Sequence, residues 1–188
     1  MRCPDNKMDD LRILIDQAQK GCEQSFVELI SQHLSKVSQI SARFAQNEQE
    51  TKDLVQEISL EVWKSLKKFK GEAPFEHWIS RIAINRCHRL LKTRYREKKK
   101  NEVLKGVYNI TPPSTESVKG KEAREVLFFG MRQLKPDDAL VLALKELEGY
   151  SIEEISQKTR WSASKIKVKL HRARKKLRTI LEQTQEWP

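Results

Sequence analysis

Cysteine is scarce in this sequence, with three residues at positions 3, 22 and 87. They are scattered and odd in number, so no disulfide framework is implied. Long apolar runs are missing too, and none approaches the roughly 20 residues a membrane span needs. The N-terminus, MRCPDNKMDDLRILIDQ, turns acidic where a signal peptide needs its apolar stretch. A cytoplasmic protein with no membrane insertion is expected. Strand-like alternation and hairpin signals are absent, so the expected fold class is all-α. Metal-ligand spacing is lacking as well. Cys87 and His88 are the one adjacent pair of ligand types, without a CxxC or HxxxH partner nearby. Neighbours on a helix point about 100° apart, so the pair reads as a half-buried Cys beside an exposed His. No metal and no cofactor is expected.

What the sequence does hold is positive charge in two places. Net charge is +11 over 188 residues. Residues 81–100 hold nine Lys or Arg against one Glu, and residues 162–181 hold eight and no acid. Each block carries a surplus of +8, and the remainder of the chain is acidic. Two compact basic blocks on an acidic remainder are electrostatic footprints for a polyanion. The second block lacks the bulky aromatic anchors of membrane-surface helices, which favours nucleic acid over lipid.

Helical spacing recurs along the chain. Residues 9–20 align Leu11, Leu14, Ile15 and Ala18, and residues 25–44 align Phe26, Leu29, Ile30, Leu34, Val37, Ile40 and Phe44. A third helix from about Glu48 carries Leu54, Val55, Ile58, Val62, Trp63 and Leu66. KGEAP (70–74) breaks it through Gly71 and Pro74. A fourth helix, from Phe75 to about Arg96, carries Trp78, Ile79, Ile82, Ala83, Cys87, Leu90 and Leu91. The pattern then fails across a Pro–Pro pair and small polar residues, read as a linker over 98–120. Beyond it, residues 121–133, 137–147, 151–159 and 162–182 read as helices. The expected architecture is two small helical domains, 1–97 and 121–188, joined by a flexible linker.

The segment SIEEISQKTRWSASKIKVKLHRARKKLR (151–178) carries the clearest local signal. Gly149 suits the end of the preceding helix. Ser151 followed by Glu154 is a capping-box pattern that starts the next one. Ile152 and Ile155 then face inward. Ser162 caps a longer helix whose apolar stripe is Ile166, Leu170, Ala173, Leu177 and Leu181. A short helix, a tight turn and a longer basic helix make a helix-turn-helix. Such a motif presents Ala163, Ser164, Lys165, Lys167, Val168, His171 and Arg172 to the major groove. Arg174, Lys175, Lys176 and Arg178 would follow phosphates, setting affinity rather than sequence.

The N-terminal half is less decisive. DLVQEISLEVWKSLKKF sets Asp53, Gln56 and Glu57 on one polar helix face, which a solvated surface explains equally well. Then KGEAPFEHWISRIAINRCHRLLKTR joins a small-residue loop, two aromatics and a basic helix. Single-strand binders combine such parts, because bases stack on rings while Lys and Arg follow the backbone. Phe75 and Trp78 suit a core equally.

DLVQE with the following VW, then KFKGEAPFEHWISRIAINR, resembles region 2 of bacterial sigma-70-family initiation factors. ELEGYSIEEISQKT and SASKIKVKLHRARKKL resemble their region 4. With no segment like regions 1.1 or 3, the chain resembles the small extracytoplasmic-function (ECF) group, and the match covers nearly all of it outside linker and tails. The resemblance implies that Asp53, Gln56 and Glu57, with Leu60 and Trp63, dock on core RNA polymerase. It implies that Lys70, Gly71, Glu72, Ala73, Pro74, Phe75, Trp78, Arg81, Asn85, Arg86 and Arg89 melt and hold the minus-10 strand of promoter DNA. Ser162, Ala163, Ser164, Lys165, Lys167, Val168, His171 and Arg172 would read the minus-35 element. An anti-sigma partner is implied too, as is a monomer both free and in holoenzyme. Three residues depart from the pattern: Arg160 replaces the usual turn glycine, Val168 a small polar residue, and Ser59 a frequent aromatic.

Two other readings compete. A polymerase-independent helix-turn-helix regulator explains the C-terminal segment but leaves DLVQE and the aromatic loop idle. A DNA-processing enzyme needs a nucleophile with metal or acid–base partners, and the N-terminal half offers only isolated Ser, His and Asp.

Overall fold

The structure, a computed structural model, describes residues 6–105 and 127–185. Helices α1 (Asn6–Gln19), α2 (Glu23–Ser31), α3 (Leu34–Ala42), α4 (Glu48–Leu66) and α5 (Phe75–Lys105) come first. A helix over residues 127–132 (α6) follows. Then come α7 (Pro136–Leu142), which continues as one π turn Ala143–Leu147, α8 (Ile152–Thr159) and α9 (Ala163–Gln185). No strand occurs among the described residues, and the chain divides into two compact units, Met1–Cys87 and His88–Pro188. The all-α, two-body expectation holds, but the first unit, expected to run to residue 97, ends at Cys87.

In the first unit α1 packs on α2 and α3 on α4. Leu29, Val37, Ile40, Ile58, Val62, Ile79 and Ile84 are fully buried between the helices, and burial of each such side chain stabilises by about 1.5–3 kcal/mol. Asn47 starts α4 by accepting the Glu50 backbone N–H at 2.8 Å. At the other end of α4, Gln19 Nε2 donates to the Leu66 and Phe69 carbonyls at 2.9 and 2.8 Å. A helix end otherwise leaves such carbonyls without partners.

Three expectations need correcting here. The single helix over 25–44 is two, because the chain tightens at Gln32–His33, where the His33 N–H bonds back to the Ile30 carbonyl at 2.9 Å. The break sets the His33 ring edge-on against Phe75. Leu34, expected inside, is 37% exposed. The expected linker also starts too early, since residues 98–105 continue α5. Lys, Glu and Leu favour helix without an apolar period, and no Gly or Pro occurs between Pro74 and Gly106. The rest of that linker, 106–120, and the first residues of the helix expected from 121 lie outside the described residues.

In the second unit α7 and α8 both pack on α9. Leu140, Leu144, Ile155 and Ile166 are fully buried, with Ala173 beside them. Gly130 lets α6 approach α9 closely; a Cβ there would stand 2.6 Å from Leu177 Cδ1. Gly149, at φ +73°, ends the π turn as the sequence reading expected. Both halves of the expected capping box form. Ser151 N–H donates to Glu154 Oε2 at 2.7 Å, and Glu154 N–H to Ser151 Oγ at 3.1 Å.

Candidate nucleic-acid and partner-binding faces

The polar side of α4 presents Asp53, Gln56 and Glu57, all exposed, with Leu60 51% exposed one turn on. Trp63 is half-buried, its ring tilted on Phe26 at 4.8 Å. An exposed acidic face ending in an exposed leucine suits a basic partner surface with an apolar pocket. Ser59 donates its hydroxyl to the Val55 carbonyl at 2.7 Å and presents no ring. One feature escaped the sequence. Arg86 Nε donates to Glu57 Oε2 at 2.8 Å, with Nη2 also on that oxygen. Residues assigned to polymerase docking and to the minus-10 strand are therefore ion-paired with each other.

Residues 70–74 form an exposed turn between α4 and α5, with Gly71 at φ +76°. Beneath it lies a ring cluster. Phe75 meets Phe69 at 5.2 Å and Trp78 at 5.5 Å, and Phe69 meets Trp78 at 5.1 Å. Phe75 is 4% exposed, so it supports the loop from below. Expecting it to hold the strand is corrected accordingly. Trp78 is half-buried and Asn85 exposed, while Arg81 is partly open. Arg89 is exposed on the part of α5 belonging to the second unit. His33, against Phe75, has its Nε2 buried without a hydrogen-bond partner. Burial holds its pKa below the ordinary imidazole value, the nearby Glu76 charge opposing.

The helix-turn-helix is fastened by its own side chains. Arg160 turns the chain at φ 60°, ψ 28°, the left-handed conformation a glycine would take without strain. Around it, Thr159 Oγ1 donates to the Ile155 carbonyl at 2.7 Å and Ser156 Oγ to the Trp161 carbonyl at 2.6 Å. Ser162 Oγ accepts the Lys165 N–H at 3.3 Å, the expected cap. On α9, Ile166, Leu170 and Ala173 are buried. Ala163, Ser164, Lys165, Lys167, Val168, His171 and Arg172 all lie on the outside. Val168 among them is 57% exposed.

Its surroundings were not anticipated. Lys169 turns inward, its side chain 11% exposed, and its Nζ lies 2.7 Å from Asp137 Oδ2 and 3.8 Å from Asp138 Oδ1. Asp138 also accepts from Arg172 Nη2 at 3.2 Å. The Trp161 ring carries Lys165 Nζ at 4.5 Å and Lys169 Nζ at 5.3 Å. Arg174, expected along phosphates, bonds Glu146 Oε1 through Nε at 3.2 Å and Nη2 at 2.5 Å. Lys175, Lys176 and Arg178 are exposed. His88 is half-buried rather than exposed, and Cys87 is fully buried. His88 Nε2 lies 2.8 Å from Asp137 Oδ1 and its ring 5.5 Å from Trp161. Burial lowers the His88 pKa, the Asp137 hydrogen bond opposing. A neutral ring with its proton on Nε2 donates to Asp137. Burial pushes the Asp137 carboxyl up, but hydrogen bonds from Lys169 and His88 outweigh it and bring it below the ordinary value.

The described residues form two all-helical modules, the second a helix-turn-helix whose longer helix is basic and exposed on its outer side. Residues 29–97 match the sigma-70 region 2 model and residues 130–177 the sigma-70 region 4 model. The chain belongs to the sigma-70 family, in its ECF group. It is 25% identical over 179 residues to the ECF RNA polymerase sigma-E factor of Haemophilus influenzae, covering 90% of this chain and 94% of that protein. The same-named factor of Escherichia coli K12 is 26% identical over 176 residues, covering 87% and 90%. Among solved structures, CnrH in complex with the cytosolic domain of CnrY superposes with TM-score 0.59 at 23% identity, over 93% of this chain and 98% of that one. The sigma factor RpoE in complex with the anti-sigma factor NepR from Bartonella quintana gives 0.57 at 20% identity, over 85% and 98%. These two likenesses support the fold. No described helix is long and apolar enough to cross a membrane.

Proposed function

We propose that this chain is an ECF-type sigma factor that binds core RNA polymerase and directs promoter-specific transcription initiation. The observation that carries the reading is the occurrence, in family order on one chain, of a region 2 module and a region 4 helix-turn-helix. A polymerase-independent regulator would leave the first module without a task.

The work divides by face. Asp53, Gln56, Glu57 and Leu60 form the docking surface for core polymerase, with Trp63 stiffening it from behind. The exposed loop 70–74, with Trp78, Arg81, Asn85, Arg86 and Arg89, engages the minus-10 strand, while Phe75 holds the loop up from the core. Ser162 to Lys165, Lys167, Val168, His171 and Arg172 face the minus-35 major groove, and Lys175, Lys176 and Arg178 follow its phosphates. The domains act over 1–97 and 121–188, and the protein works as a cytoplasmic monomer, a specificity factor rather than an enzyme. An anti-sigma partner is part of the proposal, since the solved neighbours are captured with the NepR anti-sigma factor and with CnrY.

The test is transcription in vitro with core polymerase on a randomised promoter library. The expected result is transcripts that depend on this protein and share two separated elements. Transcription that is identical without the protein would overturn the proposal.

A further inference from the structure

A buried carboxylate on α7 reaches one of the arginines assigned to the reading helix. Asp138 has a side chain only 10% exposed, yet it accepts from Arg172 Nη2 at 3.2 Å, and the Arg172 side chain is 52% exposed. Such a group must be compensated, because an unpaired carboxylate away from water is costly. Lys169 alone serves it poorly, standing 3.8 Å from Asp138 while bonding Asp137 at 2.7 Å. The closer cationic partner of Asp138 is the half-exposed arginine.

A guanidinium is a rigid planar fork of five donors. Holding one nitrogen against a buried acceptor restricts the fork's orientation and leaves its remaining donors for a ligand. Arg172 is also on the same face of α9 as His171 and Val168, both exposed. The matching ligand for such a fork is the O6/N7 edge of guanine in the major groove, the commonest specific arginine contact.

Resting on the minus-35 reading above, we infer that Asp138 is a positioning residue. It holds Arg172 in the orientation that recognises a guanine of the minus-35 element. The gain is preorganisation: the arginine is ordered before DNA arrives, so binding loses less freedom. Asp138 touches no base itself. Lys169 and Asp137 keep α7 and α9 in register, so that the carboxylate stands where Arg172 needs it.

The test uses reconstituted holoenzyme on matched promoters that differ at single minus-35 positions, with open-complex formation as the readout. Arg172→Ala should cost roughly 5- to 150-fold of the preference for guanine at one position, the range expected for one good bidentate contact. Asp138→Asn should lower the preference at that same position by about fivefold or more, leaving other positions unchanged. The double variant should match Arg172→Ala alone. Asp138→Glu, which keeps the charge but moves it by one methylene, guards against a folding defect in Asp138→Asn; it should fall between wild type and Asp138→Asn in preference at that position. If Asp138→Asn and Asp138→Glu both keep the full guanine preference, or both weaken every promoter by one factor, the inference is overturned. Independent, multiplying effects of Asp138→Asn and Arg172→Ala on the preference would overturn it too. If Arg172→Ala changes no position while wild-type holoenzyme still selects promoters, the assignment of Arg172 fails and the inference with it. A wild-type protein that supports no initiation would instead sink the functional reading itself.

Discussion

The two basic blocks carry the same surplus of charge, but the faces beside them are built differently. Near residues 70–89 the candidate site rests on rings: Phe69, Phe75 and Trp78 pack under an exposed loop, with His33 closing the cluster. On α9 the organising groups are acids, with Asp137, Asp138 and Glu146 holding Lys169, Arg172 and Arg174. The difference teaches what each face can do. A loop over rings offers planar surface and backbone to unpaired bases, which suits a melted strand. A helix whose arginines are aimed by carboxylates offers directed donors, which suits an intact groove. Net charge brings either face to DNA and distinguishes neither.

Loss of delivery by polymerase should have the largest effect on both faces. Asp53→Lys combined with Glu57→Lys should abolish co-purification with core polymerase. The lost Glu57–Arg86 pair is partly exposed and contributes about 1 kcal/mol at most, so thermal stability should stay close to wild type. Retained co-purification would remove the α4 face from the account.

Next in size is a difference within α9. Lys175→Ala or Arg178→Ala should weaken holoenzyme on every promoter alike and reduce the salt slope by about one phosphate contact. Lys167→Ala should instead flatten discrimination at one or two minus-35 positions. If all three act alike on every promoter, α9 is an electrostatic anchor and the contrast with the ring-based site loses its meaning.

Acid should expose the other half of the comparison. His33 and His88 both have folded pKa values below the ordinary 6.5. The unfolded chain therefore binds more protons as pH falls, so stability is fully present above about 6.5 and declines below it towards the folded values. His33→Phe keeps a ring against Phe75 and removes the unpartnered nitrogen. It should flatten the pH dependence of thermal unfolding between about pH 7 and pH 5 without lowering stability at pH 7. An unchanged pH profile would show that His33 does not carry this titration.

Arg160→Gly gives the smallest expected shift. Relieving a left-handed non-glycine residue should stabilise the helix-turn-helix by about 1 kcal/mol. A destabilised variant in denaturant unfolding would mean that the arginine side chain outweighs its backbone strain.

How much of this was legible in the sequence depends on the reach of each interaction. Ser151 and Glu154 are three residues apart and Ser162 meets Lys165 at the same spacing, so both caps could be read directly. The inward stripe through Ile166, Leu170 and Ala173 follows from helical period alone. Asp138 lies 34 residues from Arg172, and Glu57 lies 29 from Arg86. No local rule pairs such residues. Lys169 and Trp161 likewise meet partners from outside their own helix-turn-helix segment, Asp137 and His88. The break at Gln32–His33 carries neither Gly nor Pro, so it was invisible, whereas the persistence of α5 through residues 98–105 followed helix propensity where the apolar pattern had ended.

Delivery by polymerase places a reading helix that charge alone cannot place. This is tested most directly by binding one promoter duplex, and the same duplex with its minus-35 element scrambled, to the free protein and to holoenzyme near physiological salt. The free protein should bind both duplexes weakly and equally, with steep salt dependence. Holoenzyme should prefer the intact promoter and tolerate more salt. Nanomolar, sequence-specific binding by the free protein would contradict it.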